Sequence, residues 1–160
     1  MPGPGLYTMD TIEKAADAWH AAGKTIVFTN GCFDLIHPGH VRYLRQAREL
    51  GELLVLGLNT DMSVKRLKGP GRPILNLEER SEVLLAIRYV HAVVPFAEDT
   101  PLDLIRKVRP HVLVKGGDWA VEDIVGREVV EGSGGRVLSL PFHPGSSTSD
   151  IIDRIRSTQT

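Results

Sequence analysis

Short apolar runs alternate with helical patterns along the whole chain, and this alternation is the feature that most restricts its fold. Five runs read as strands that are buried on both faces. They cover residues 25–30, 53–59, 92–96, 112–115 and 136–142. Helical patterns cover residues 11–22, 39–50, 76–88, a stretch opened by Pro101, 124–131 and 148–156. Strands that are each followed by a helix predict a five-stranded parallel sheet covered on both faces, a three-layer α/β/α fold.

The bulk properties predict one domain over residues 1–160, with residues 1–10 as a flexible N-terminal arm. This arm lacks the basic start and apolar core of a signal peptide, and no apolar run is long enough to span a membrane. The formal charge of −1 provides no basic field for nucleic acid, and Cys32 is the only cysteine, which excludes a disulfide within the chain. We expect a cytoplasmic protein that binds neither nucleic acid nor a membrane.

Polar residues and glycines gather where four of the predicted strands end. In parallel sheets of this kind, ligands bind beyond the carboxyl ends of the strands. The residues at these ends are Thr29, Asn30 and Gly31; Asn59, Thr60 and Asp61; 115–119; and 143–148. Their concentration on one edge of the sheet predicts a ligand site there.

The usual phosphate-binding signatures, GxxxxGK[ST] and GxGxxG, are absent after these strands. Two other features could hold phosphate. One is the N-terminus of a helix. Two predicted helices offer such an N-terminus, one that begins at Gly39 and one that begins at Ser147–Thr148. The other is the stretch 62–77, which contains no acidic residue and carries four cations, Lys65, Arg66, Lys68 and Arg72. We expect a mobile cationic loop there, although a solvated loop without function would have the same composition.

Two histidines occupy the segment CFDLIHPGHVRYL, residues 32–44, at a predicted helix start. His37 and His40 are three positions apart and so share one helix face. Pro38 suits the first helical turn, and Gly39 lets a ligand approach the backbone closely. Convergent N–H donors would stabilise the charge that a phosphoryl group gains under attack. The alternative is a polar turn with two exposed histidines.

With its surroundings, this segment resembles the HxGH nucleotidylyltransferases, a superfamily of cytidylyl- and adenylyltransferases with a Rossmann-like fold. The similar segments are FTNGCFDLIHPGH (28–40), LNTDMSVKRLKGPGRPI (58–74), EERSEVL (78–84), EDTP (98–101), LVKGGDW (113–119) and GSSTSDII (145–152). KRLKGxxRP, EDTP and VKGGD are most similar to the heptose 1-phosphate adenylyltransferases. The resemblance implies transfer of AMP from ATP to D-glycero-β-D-manno-heptose 1-phosphate, which gives ADP-heptose for the lipopolysaccharide core and pyrophosphate.

The resemblance also implies a role for each matching residue. The expected catalytic residues, which hold the phosphates and the developing charge, are His37, His40, Lys65, Lys68 and Arg80. The expected nucleotide-binding residues are Thr29, Asn30, Gly31, Phe33, Gly39, His40, Asn59, Gly116, Gly117, Asp118, Ser147 and Thr148. The expected substrate-binding residues are Asp34, Asp61, Lys65 and Arg72. For Asp34 the alternative is a structural aspartate in a turn.

Mg²⁺ is expected to bridge phosphate oxygens and to be held mainly by the substrates, because no protein ligand set is evident. The resemblance implies a homo-oligomer, commonly a dimer, and another protein that makes the heptose 1-phosphate. Two alternatives stay open. One is a cytidylyltransferase acting on glycerol 3-phosphate or a related small phosphate, although Phe142 stands where such enzymes usually carry arginine. The other is a nucleotide-binding regulatory module without catalysis.

Overall fold

The computed structural model describes residues 1–117, 119–141 and 147–159, and these form a parallel sheet between two layers of helices. The strands are β1 (Gly5–Leu6), β2 (Ile26–Gly31), β3 (Leu53–Asn59), β4 (Ala92–Phe96), β5 (Val112–Gly116) and β6 (Arg136–Leu140). The helices are α1 (Met9–Ala21), α2 (Pro38–Arg48), α3 (Asp61–Lys68), α4 (Leu77–Ala86), α5 (Leu102–Val108), α6 (Arg127–Gly132) and α7 (Thr148–Ser157). Every described helix is too short or too polar to cross a lipid bilayer.

Two apolar clusters, one on each face of the sheet, confirm the predicted three-layer architecture. Successive residues of a strand point to opposite faces, so neighbouring side chains enter different clusters. Val55 of β3 packs in the cluster that contains Trp19 of α1, whereas Leu54 packs in the cluster that contains Leu44 of α2. All of β3 is buried, which explains why its sequence is apolar at every position except the last.

The strand order is β1-β4-β3-β2-β5-β6, which is six strands where five were predicted. The additional strand lies within residues 1–10, the expected flexible arm. Gly5 and Leu6 pair with β4, and the indole Nε1 of Trp19 donates to the carbonyl oxygen of Pro2 at 2.9 Å. These contacts give the N-terminal residues a fixed place along the free edge of β4, which a two-residue strand is too short to signal in the sequence.

Helix α3 occupies half of the stretch that was predicted to be a mobile cationic loop. The Thr60 hydroxyl caps it by accepting from the backbone N–H of Ser63 at 3.4 Å, and Asp61 lies in its first turn, where the helix dipole favours a negative charge. Gly69 ends the helix with a φ of 102°. Lys65 and Lys68 therefore stand on a helix that begins directly after β3, and only residues 69–76 form a loop.

The strand order reverses between β2 and β5, and a crevice opens there. β2 pairs with β3 from Ile26 to Gly31, but it pairs with β5 only at Val27 and Phe28. The Tyr43 hydroxyl bridges the separating strands, 2.6 Å from the hydroxyl of Thr29 and donating to the carbonyl of Val114 at 3.3 Å. Such switch points bind ligands in parallel sheets, so the crevice is the first place to look for a site.

Candidate active site

The two histidines stack on one another at the start of α2, beside this crevice. Their ring centroids are 3.8 Å apart and their planes are inclined by 29°. His40 Nδ1 accepts from the backbone N–H of His37 at 3.4 Å. A neutral His40 must then carry its proton on Nε2, so its remaining function is that of an N–H donor. His37 Nδ1 is buried and has no hydrogen-bond partner among the described residues.

Burial keeps both histidines neutral at physiological pH. It lowers the pKa of His40 to about 4, and the adjacent His37 acts in the same direction. Burial also lowers the pKa of His37, against the opposing effect of the nearby Asp150 carboxylate. The pair therefore presents two neutral imidazoles, which can stack closely without charge repulsion.

Gly31 and Phe33, two of the expected nucleotide-binding residues, shape the support of His40. Phe33 has a φ of 46°, is 7% exposed and places its ring 5.2 Å from the ring of His40. A Cβ atom at Gly31 would lie 2.8 Å from Cε2 of Phe33, closer than packed atoms approach, so the small residue makes room for this ring. The Phe33 side chain thus acts through His40 rather than on a ligand.

Helix α7 brings a second group of backbone donors to the histidines. The Ser147 hydroxyl caps it by accepting from the backbone N–H of Asp150 at 3.0 Å, and the Thr148 hydroxyl donates to the carbonyl of Leu35 at 3.1 Å. The second bond fixes the helix start against the loop before His37. The backbone N–H groups of Thr148 and Ser149, the other two of the first turn, have no partner within this ten-residue helix and favour an anion.

Asp34, expected to bind the sugar, is instead a buried anchor for the loop after α3. It is 1% exposed, and its carboxylate accepts from Arg72 Nε at 2.7 Å and from the backbone N–H groups of Ile74 and Leu75 at 2.8 and 2.9 Å. Burial alone would raise the pKa of Asp34, but the Leu75 and Ile74 amides and the Arg72 guanidinium hold it below its usual value. Both carboxylate oxygens already accept hydrogen bonds, so Asp34 holds Arg72 and the loop after α3 in place.

Arg80, expected to reach the pyrophosphate, is also a positioning residue. It is fully buried, and its guanidinium donates to the carbonyls of Leu75, Cys32 and Asn59 at 3.0, 2.8 and 2.8 Å. A fourth bond of 2.7 Å joins it to the Asp61 carboxylate. Arg80 thereby joins three segments: the loop of residues 32–37 between β2 and α2 (the histidine loop), the end of β3, and the residues before α4. Because it is fully buried, it has no exposed donor for a phosphate.

Two expected nucleotide contacts, Thr29 and Asn59, likewise have their polar side-chain atoms hydrogen-bonded inside the fold. Thr29 is fully buried and its hydroxyl meets that of Tyr43, while Asn59 is 3% exposed and its Nδ2 donates to the hydroxyl of Ser63 at 2.9 Å. Their polar side chains hold the crevice walls in place. Asn30, Gly39 and Gly116 are half-buried at the sheet edge, and Gly117 is buried with a φ of 100°. Asp118 lies outside the described residues, as does Phe142.

A cleft of ≈ 280 Å³ brings together three of the expected substrate residues. Asp61, Lys65 and Arg72 line it together with Pro70, Gly71, Pro73, Ile74 and Asn76. One oxygen of the Asp61 carboxylate is held by Arg80, and the side chain is 45% exposed, which leaves the other oxygen able to accept from a hydroxyl. The cleft therefore combines one hydroxyl acceptor with two cations.

A second cleft, of ≈ 450 Å³, lies against His37 and is lined by Ile36, Pro38, Val41 and Arg42 as well. The sequence motifs predict no role for Arg42 or for Lys115, which lies near the end of β5. A lysine in an otherwise apolar strand, VLVKG, was the available signal for the latter. Among the described residues, no group of three or more histidine, cysteine, aspartate or glutamate side chains could hold a metal ion.

The chain falls into a known class, which combines a three-layer α/β/α fold with a switch-point crevice and paired histidines. Residues 28–154 match the cytidylyltransferase-like family, and the chain belongs to that family. It is 55% identical over 150 residues to the bifunctional protein HldE of Pelobacter propionicus, a match that covers 94% of this chain and 31% of that protein. It is 57% identical over 146 residues to HldE of Syntrophotalea carbinolica, covering 91% of this chain and 30% of that protein. The chain thus spans about a third of the length of these curated relatives.

A solved structure shares the fold. The lipopolysaccharide core biosynthesis protein from Thermoplasma volcanium GSS1 matches with a TM-score of 0.60 and 24% sequence identity. The match covers 76% of this chain and 98% of that one. At this identity the likeness confirms the architecture of the sheet and its helices.

Proposed function

We propose that the chain is an adenylyltransferase that transfers AMP from ATP to D-glycero-β-D-manno-heptose 1-phosphate and releases pyrophosphate. The observation that carries this proposal is the neutral, stacked His37–His40 pair beside the N-terminus of α7 and the switch-point crevice. Donors that face one region and carry no net charge suit a phosphoryl group that gains charge during transfer. These groups can position two polyanionic substrates and stabilise the charge that develops between them.

The sugar phosphate oxygen attacks the α-phosphorus of ATP in line, and the bond from that phosphorus to the bridging oxygen of the pyrophosphate breaks. No protein nucleophile or base is required, because the attacking phosphate is already ionised. The difficulty is the approach of two anions, so catalysis consists of positioning and of stabilising charge. The His40 Nε2–H donates to an oxygen around the α-phosphorus, and the stacked His37 supports the adjacent phosphate.

ATP and the sugar phosphate bind at different parts of the site. The first-turn N–H groups of α7, after Ser147, receive the outer phosphates of ATP, and the backbone at Asn30, Gly39 and Gly116 lines the nucleotide. The cleft between α3 and the loop 69–76 receives the acceptor. There Lys65 and Arg72 meet its phosphate, Asp61 accepts from a sugar hydroxyl, and Lys68 stands at the end of α3 toward the nucleotide phosphates.

Mg²⁺ would enter with ATP, because the described carboxylates offer no ligand set for it. The Asp34 oxygens are occupied, and one oxygen of Asp61 is held by Arg80. Bound to phosphate oxygens, the ion would withdraw negative charge from them. The residues of the chain add the donors described above.

ATP and heptose 1-phosphate are proposed as the substrates because KRLKGxxRP, EDTP and VKGGD resemble the heptose 1-phosphate adenylyltransferases, and because the relatives include HldE proteins. We further propose that the protein acts in the cytoplasm, where ATP is available, and assembles as a homo-oligomer. The family description, cytidylyltransferase-like, favours one competing function, transfer from CTP. For that function glycerol 3-phosphate is the acceptor considered.

Pyrophosphate release separates these functions when ATP and CTP are each paired with heptose 1-phosphate and with glycerol 3-phosphate. The proposal predicts rapid release only with ATP and heptose 1-phosphate. Turnover confined to CTP would overturn the assignment of ATP, and nucleotide binding without release in all four mixtures would favour a regulatory module.

A further inference from the structure

Lys115 is a charged residue in an otherwise apolar strand, at the crevice where β5 separates from β2. It is half-buried and follows Val112, Leu113 and Val114, all of them buried. Its Nζ lies 5.5 Å from the ring centroid of Trp119, which is itself half exposed. A cation placed this deep at the ligand edge of the sheet requires an explanation, because removing it from water is costly.

The other deep cations of the site have a carboxylate partner, and Lys115 has none among the described residues. Arg80 is paired with Asp61 at 2.7 Å and Arg72 with Asp34 at 2.7 Å. No ion pair within residues 1–117, 119–141 and 147–159 includes Lys115.

The charged neighbours of Lys115 also leave its charge uncompensated. Burial is the main cause that lowers the pKa of Lys115, and repulsion from Lys68 at the end of α3 adds to it, against an opposing effect of Cys32. Burial, however, raises the pKa of the Cys32 thiol, so the thiol is neutral at physiological pH and supplies no negative charge.

Among the described residues, the groups around Lys115 therefore carry more positive than negative charge. Lys68 lies at the end of α3 and Lys115 near the end of β5, and repulsion between the two charges contributes to the lowered pKa of Lys115. An anion between them would relieve that repulsion and supply the missing counter-charge for both.

We propose that Lys115 is a third phosphate-binding lysine of the active site, in addition to Lys65 and Lys68, and that its ligand is a phosphoryl oxygen of one of the two substrates. This inference deepens the proposed function and rests on it for the identity of the substrates. The ligand chemistry is the same whether the phosphoryl group belongs to the nucleotide or to the sugar phosphate, so the experiment must separate the two sources.

The experiment measures equilibrium binding of ATP, inorganic pyrophosphate and heptose 1-phosphate by calorimetry. It compares the unaltered protein with Lys115→Gln, Lys115→Arg and Lys14→Gln. Lys14 is exposed on α1 and provides the same chemical change far from the crevice. Thermal unfolding of each variant shows whether the fold is kept, and Lys115→Met replaces Lys115→Gln if the glutamine variant unfolds.

A lost hydrogen bond to a charged group predicts binding weaker by roughly 10- to 100-fold in Lys115→Gln, with partial recovery in Lys115→Arg and no change in Lys14→Gln. Weakening for ATP and pyrophosphate identifies the nucleotide as the source, and weakening for heptose 1-phosphate alone identifies the acceptor. Unchanged binding of all three ligands overturns the inference, as does equal weakening in Lys14→Gln or the absence of any phosphate binding by the unaltered protein. If the protein binds ATP but releases no pyrophosphate with heptose 1-phosphate, the proposed function fails while the role of Lys115 is still decided.

Discussion

The protonation state of His40 determines what the histidine pair can contribute. Its Nδ1 accepts from the backbone of His37, and its pKa of about 4 keeps the ring neutral, so it offers one N–H donor from Nε2. A donor of this kind is already oriented before the substrate binds and stabilises charge as it develops. Phe33, held in a left-handed conformation, supports the ring from the side.

Replacing either histidine should remove this contribution while the fold is kept. We expect His40→Ala and His37→Ala each to lower kcat for pyrophosphate release by about 10²- to 10³-fold, the usual effect of losing one preorganised donor. Steady-state kinetics and a melting curve measure both properties. Lys14→Gln, at an exposed position of α1, serves as the control that should keep full activity. Full activity in His37→Ala would refute the role given to that residue.

The low pKa of His40 also predicts how stability responds to acid. Between about pH 6.5 and 4 the unfolded chain binds a proton at this position and the folded chain does not, so the free energy of unfolding falls as pH decreases. The His40 contribution is fully present above pH 6.5 and amounts to at most about 3 kcal/mol.

Urea unfolding at pH 7 and pH 4.5 measures this change in the unaltered protein and in His40→Gln, whose side chain does not titrate. His40→Gln should lose less stability than the unaltered protein over that interval. An equal loss in both would show that His40 does not contribute to the acid sensitivity.

At the scale of the elements, two buried charged residues keep the parts of the site together. Asp34 anchors the loop 72–75 to the histidine loop, and Arg80 joins that loop to the end of β3 and to Asp61 at the start of α3. The cations of α3 are therefore fixed relative to the histidines by groups that make their hydrogen bonds within the protein. The rate should depend on these groups through geometry alone.

Removing Arg80 should cost stability far more than removing an exposed arginine. Arg80→Met leaves three carbonyls and one carboxylate without their donor, which predicts a loss of about 3–5 kcal/mol in the free energy of unfolding. Arg66→Gln breaks the exposed pair with Asp99 and should cost less than about 1 kcal/mol. Chemical denaturation measures both variants. A similar small loss in each would contradict the structural role of Arg80.

The elements differ in how far the sequence could predict them. The bounds of β3 and β4 agree with their apolar patterns, and the helix predicted from residue 76 begins directly after Asn76, which forms a capping box with Glu79. Helix α3 was missed because it has eight residues and its cluster of cations resembles a solvated loop. The partners of Asp34 and Arg80 could not be predicted for a different reason. These partners lie as far as 48 residues away in sequence, and only the folded chain brings them together.

At the scale of the whole molecule, a chain with a formal charge of −1 concentrates cations at one edge of its sheet. Lys65, Lys68, Arg72 and Lys115 all stand at or near the carboxyl ends of the strands. Such a local field attracts anionic ligands to this edge even though the net charge of the chain is close to zero. The position of this edge follows from the parallel topology, so the fold itself determines where the site can be.

Homo-oligomer formation is proposed from the motif resemblance and concerns the whole molecule. Light scattering during gel filtration should give about twice the chain mass of 17.6 kDa for a dimer. The measurement at several protein concentrations shows whether the assembly dissociates. A mass of one chain at every concentration would contradict the expected oligomer.

The identity of the product tests the central claim most directly. The purified protein is incubated with ATP, Mg²⁺ and D-glycero-β-D-manno-heptose 1-phosphate, and the nucleotide products are identified by mass spectrometry. The proposed function predicts ADP-heptose and pyrophosphate in equal amounts, and strong loss of both with His40→Ala. If the unaltered protein forms no ADP-heptose while it forms a CDP-linked product from CTP and glycerol 3-phosphate, the assignment as a heptose 1-phosphate adenylyltransferase is wrong.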